Sequence, residues 1–81
     1  MTWLDEHLEK RWLELKARAR AEADGIVAAN PDHKILGLAI PGMVEQFCCL
    51  PLPDTAGMLV ERQGLLVSLI ERFLVIAATE H

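Results

Sequence analysis

Residues 64–78, GLLVSLIERFLVIAA, are the most apolar stretch of the chain and the strongest constraint on its fold. Only two charges interrupt the stretch, Glu71 and Arg72, side by side near its middle. A bilayer span requires about 20 apolar residues, so the run is too short to cross one, and it carries charge inside. Yet a chain of 81 residues has room for a single domain, 1–81, with little interior in which to enclose such a segment. The hydrophobic fraction is 52% and aromatics account for only 5%, so the apolar content is mostly Leu, Ile, Val and Ala. This is too hydrophobic for a disordered chain. It fits an all-α domain that shares surface with another subunit.

The apolar run is the larger part of a predicted helix at about 55–79, with Asp54 as its N-cap. At 100° per residue, Glu61, Ser68, Arg72 and Thr79 form a narrow polar strip, with Glu71 at its edge. Leu59, Leu66, Ile70, Phe73 and Ala77 form the centre of the opposite face. Met58, Leu65, Leu69 and Ile76 flank that centre on one side, and Val60, Val67 and Leu74 on the other. The apolar arc exceeds half the circumference, whereas one helix contact needs a stripe of only about 100°. This helix is therefore expected to meet neighbours on at least two sides.

A second long helix is predicted at about 3–29, with Thr2 as N-cap and Asp5 completing a weakened capping box. Leu4, Leu8, Trp12, Leu15, Ala19, Ala23 and Ile26 recur at spacings of three and four and form one stripe. Glu6–Lys10 and Glu14–Arg18 are acid-before-base pairs four apart on the polar side.

All four prolines lie between residues 30 and 54. Asn30, Pro31 and Asp32 read as an N-cap, a first helical position and an acid in the first turn. A short helix is expected at about 31–38, although 34–40 also suits a brief strand, and a second short helix at about 42–50. Pro51 and Pro53 end it. The expected architecture is thus a small bundle of two long antiparallel helices, joined by a Pro-rich region with one or two short helices and completed by oligomerisation.

Candidate chemistry is sparse. Cys48 and Cys49 are adjacent, so their Cα atoms sit about 3.8 Å apart, too close for an ordinary disulfide. They read first as small apolar residues beside Phe47 and Leu50, and alternatively as a redox-sensing thiol or two ligands of a small metal site. His7, His33 and His81 are scattered and lend that site no ligand spacing. A His33–Cys nucleophile and base is conceivable, but no spacing joins them. No glycine-rich phosphate loop, nucleophile elbow or metal-binding helix motif is present.

Lys10, Arg11, Lys16, Arg18 and Arg20 make the first helix locally basic, but Glu9, Glu14, Glu22 and Asp24 balance them. The net charge of −4 argues against nucleic acid as a partner. The opening residues place Asp5, Glu6 and Glu9 where a signal peptide would be positive, so a cytoplasmic location without membrane attachment is expected.

The expected function is a non-catalytic protein–protein interaction module without a cofactor: an adaptor, an assembly factor or an inhibitor. It would act as a homodimer or higher oligomer and engage another protein. The expected interface comprises Trp3, Trp12, Met58, Leu65, Leu69, Phe73 and Ile76, with Arg11, Arg18 and Arg20 as electrostatic contacts. Size alone also fits a small regulatory protein of a phage or mobile element.

Overall fold

The computed structural model describes the backbone of residues 3–79 and the side chains of residues 6–79. Within that range the chain is all-helical: α1 is Trp3–Ala29, α2 is Lys34–Cys48 and α3 is Ala56–Thr79. The described residues contain no strand, and 34–40 is helix. The expected Thr2 cap lies outside the described residues, as do the side chains of Leu4 and Asp5.

The helices alternate in direction. Trp12, early in α1, packs on Phe47, late in α2, with ring centroids 5.1 Å apart. His33, just before α2, reaches the carbonyl of Ile76 near the end of α3 at 2.9 Å. Arg62, early in α3, lies 4.8 Å from the Trp12 ring centroid. The two long helices therefore run parallel, not antiparallel as expected from the sequence. The reason lies in the middle of the chain. Two short helices would act as a connector, but one continuous 15-residue helix crosses the bundle and adds a second reversal.

That helix runs through Pro41. A proline inside a helix removes one backbone hydrogen bond and crowds the carbonyl four residues earlier, at a cost of about 3 kcal/mol. Here the affected carbonyl belongs to Gly37, and both residues are exposed, so water can take the vacated position. Leu36, Ile40, Val44 and Phe47 keep a single buried phase across the proline. Their burial, at about 1.5–3 kcal/mol for each large apolar side chain, outweighs the break.

The caps also differ from expectation. The Asn30 amide donates to the Ile26 carbonyl at 2.8 Å and closes α1 instead of opening α2. His33 is the N-cap of α2. Thr55, not Asp54, caps α3, its hydroxyl accepting from the Met58 N–H at 3.1 Å. On α1, Glu14 pairs with Arg11 at 3.0 Å rather than with Arg18. Both partners are about half exposed, so the pair is worth at most about 1 kcal/mol.

One core joins the three helices. Leu8, Trp12, Leu15, Ala19 and Ala23 enter from α1, Leu36, Ile40, Val44 and Phe47 from α2, and Leu59, Leu66, Leu69 and Phe73 from α3. The bundle is slender, with Cα extents of 49 × 16 × 16 Å.

Candidate functional site

What the core leaves outside is concentrated on α3. Val60, Val67, Leu74 and Val75 remain 63%, 54%, 55% and 60% exposed. The first three are spaced by sevens and share one face, with Gly64 and Ala78 beside them and Glu71 between. All three of these neighbours are exposed as well.

Beside this face runs an open groove between α2 and α3. One part, about 630 Å³, is lined by Met43, Ser68, Glu71, Arg72, Val75 and Ile76. A second part, about 360 Å³, continues it past Gln46, Leu50 and Leu65. The groove has an apolar floor and a rim bearing one acid and one base. Glu71 and Arg72, which interrupt the apolar run in sequence, are both exposed.

The expected interface residues do not come together. Leu69 and Phe73, at 8% and 0% exposure, are enclosed by the chain's own helices, and so is Trp12 at 3%. They are core residues, unavailable to a partner in this fold. Met58 and Ile76 are half-buried, and Leu65 is exposed. The Trp3 side chain lies outside the described residues.

The expected electrostatic contacts also divide. At 100° per residue, Arg11 and Arg18 lie on one side of the buried stripe of α1 and Arg20 on the other. Arg20 lines a shallow cleft with Pro41, Val44 and Glu45 of α2. The three do not form one basic patch.

The residue that the sequence pattern hides is Arg62. It is 7% exposed, although it is an arginine within a helix whose outer face is apolar. Its guanidinium lies against the Trp12 ring and donates to the Pro51 carbonyl at 2.7 Å. The cation is thus held by an aromatic face and a backbone dipole, while its aliphatic stem packs as apolar surface. Lys16 approaches the same ring, its ammonium 5.6 Å from the centroid. Pro53 is fully buried, so the 49–55 connection is tied to the bundle at two points.

Cys48 is half-buried and Cys49 exposed, and both are free thiols. The Cys49 thiol faces the Glu45 carboxylate at 4.0 Å. Among the described residues, no three His, Cys, Asp or Glu side chains gather as a metal-binding group. His33 sits at the far end of α2 from the thiols, about 22 Å away along a 15-residue helix, so the two do not meet as base and nucleophile. The imidazole is bonded to the Leu36 N–H and the Ile76 carbonyl instead.

No helix among the described residues is long and apolar enough to cross a membrane. No protein-family model, curated protein or solved structure matches the chain.

Proposed function

We propose that this chain is a non-catalytic helical interaction module that self-associates through the outer face of α3 and presents the adjoining groove to another protein. The observation that carries this reading is the exposure of Val60, Val67, Leu74 and Val75 on a bundle whose core is already closed without them. A monomer has no internal use for that face. Its mechanism would be occlusion or bridging of a partner, with Glu71 and Arg72 at the rim setting orientation.

Magnitudes set the form of the test. Covering the exposed half of four Val or Leu side chains yields about 3–6 kcal/mol, and a two-fold seam counts it twice, roughly 6–12 kcal/mol. Association costs about 4–15 kcal/mol in lost freedom. The assembly should therefore depend on concentration. Light scattering across low to high micromolar protein should show a shift from monomer toward dimer in the parent chain. Val67→Glu should remain monomeric with unchanged helical circular dichroism. A parent chain that stays a 9.0 kDa monomer throughout would remove self-association from the reading. The groove would then have to act on a different protein alone.

A further inference from the structure

We propose that the outer face of α3 pairs with the same face of a second copy in antiparallel register, with Val60 on the partner's Ala78, Gly64 on the partner's Leu74 and Val67 on the partner's Glu71. This rests on the self-association reading above and fixes what that reading leaves open, the direction and register of the seam. The observation is an ordering of sizes. Val60, Gly64, Val67, Glu71, Leu74 and Ala78 follow one another by alternating steps of four and three. At 100° per residue they fall within an arc of about 80°. All six are exposed. Steps of this kind let one helix lie along another. From Val60 to Ala78 the strip is about 27 Å long.

A parallel pair would set each position against its own copy. Gly64 would face the partner's Gly64 and leave a gap, while the valines would meet each other head on. The Glu71 carboxylate would face the partner's Glu71, and like charges opposed across an interface repel.

Turning the partner end for end about residue 69 changes every layer. The strip reads Val, Gly, Val, Glu, Leu, Ala in one direction and Ala, Leu, Glu, Val, Gly, Val in the other. Each small residue then receives a large one, as interdigitating layers require. Gly64 has open space within 4 Å of where a Cβ would sit, so nothing in its own chain fills the notch that the partner's Leu74 would enter. The two Glu71 side chains move apart, each onto a valine of the other chain. Glu71 and Ser68 both border the groove between α2 and α3. A two-fold axis keeps like edges together, so the partner's Ser68 stands within one residue of level with Glu71. Its hydroxyl is placed to donate to that carboxylate. No other antiparallel register gives all six positions a partner. The strip is thus its own complement in size and charge, and this selects a second copy as the occupant.

The test uses the full chain carrying Cys48→Ser and Cys49→Ser, which removes the native free thiols. Val60→Cys and Ala78→Cys are made separately in that background, and circular dichroism checks that each keeps its helix. The variants are oxidised by air, alone and as an equimolar mixture combined at low micromolar concentration and then concentrated. A disulfide needs Cα atoms about 4.4–6.8 Å apart. In the antiparallel seam the two thiols of either variant alone stand about 27 Å apart along the axis. The expected result is a cross-linked dimer in the mixture and none above background from either variant alone. Cross-linking of Val60→Cys or Ala78→Cys with itself as readily as in the mixture would overturn the register and leave self-association standing. A mixture that associates by light scattering without cross-linking would do the same. A thiol-free chain that stays monomeric at every concentration would overturn both.

Discussion

α1 and α3 are similar in length and, among the described residues, each buries five side chains, yet they divide their residues in opposite ways. α1 places Leu8, Trp12, Leu15, Ala19 and Ala23 inward and turns Glu6, Glu9, Lys10, Glu14, Arg18 and Asp24 to solvent. Among its described residues, Leu13 is the one large apolar side chain left exposed. α3 turns a cation inward at Arg62 and leaves Val60, Leu65, Val67, Leu74 and Val75 outside. The contrast shows that apolar content and burial are separate properties of a helix. The three-helix core is saturated by one stripe from each helix. Further apolar residues on α3 add surface rather than interior, and a second molecule is what could use that surface.

Four comparisons of substitutions sharpen or break this contrast, and the largest effect is expected in the core. Phe73→Ala should cost about 3–5 kcal/mol in chemical denaturation, which approaches the whole stability of a domain this small. Its neighbour Leu74→Ala should cost less than about 1 kcal/mol. Comparable losses at the two positions would mean that the inner and outer faces of α3 have been assigned wrongly.

Arg62→Ala should cost about 1–3 kcal/mol, because it removes a buried charge-assisted bond and the contact with Trp12. Arg18→Ala, exposed on α1, should fall within about 0.5 kcal/mol of the parent. Arg62→Lys should fail to restore the loss, since an ammonium lacks the flat face that stacks on indole. Full restoration by lysine would reduce Arg62 to a simple point charge.

Gly25 in α1 and Gly64 in α3 both have open space where a Cβ would sit. Alanine at either helix position should stabilise the fold by about 0.5–1 kcal/mol, read as a higher denaturation midpoint. Only Gly64→Ala should also weaken self-association, because a close seam on α3 would meet the added methyl. Equal association by both variants would place the seam away from Gly64.

The smallest stability effects belong to Leu13→Gln and Val60→Gln, each within about 0.5 kcal/mol. Light scattering should separate them, with association lowered by the α3 change and not by the α1 change. If Leu13→Gln lowers it instead, the outer face of α1 is the seam.

Most of the helical content was legible in the chain. The period of Leu8, Trp12, Leu15, Ala19 and Ala23 marks the buried stripe of α1, because its polar residues are charged and leave one orientation. On α3 the wheel is less decisive, since apolar residues cover most of it. Its expected centre was Leu59, Leu66, Ile70, Phe73 and Ala77. The buried stripe is instead Leu59, Arg62, Leu66, Leu69 and Phe73, a rotation of roughly 30° at 100° per residue. Arg62 explains the difference. Hydropathy places an arginine outside, but the Trp12 ring and the Pro51 carbonyl give its guanidinium a buried seat. The same rotation buries Leu69 and exposes Val60, Val67 and Leu74. By propensity alone α2 falls into two pieces at Pro41, and the sequence does not reveal that the broken face points to solvent.

The sequence by itself determined that the chain is helical, that residues 64–78 belong to a helix rather than a membrane span, and which stripe of α1 is buried. These follow from spacing along the chain, which acts on each helix alone. The tertiary structure decided the direction of α3 relative to α1, the continuity of α2 through Pro41 and the inward seat of Arg62. It also decided the double cap made by His33. Each of those depends on a group distant in sequence, such as Trp12 for Arg62 or Ile76 for His33. Periodicity within one segment contains no information about that partner.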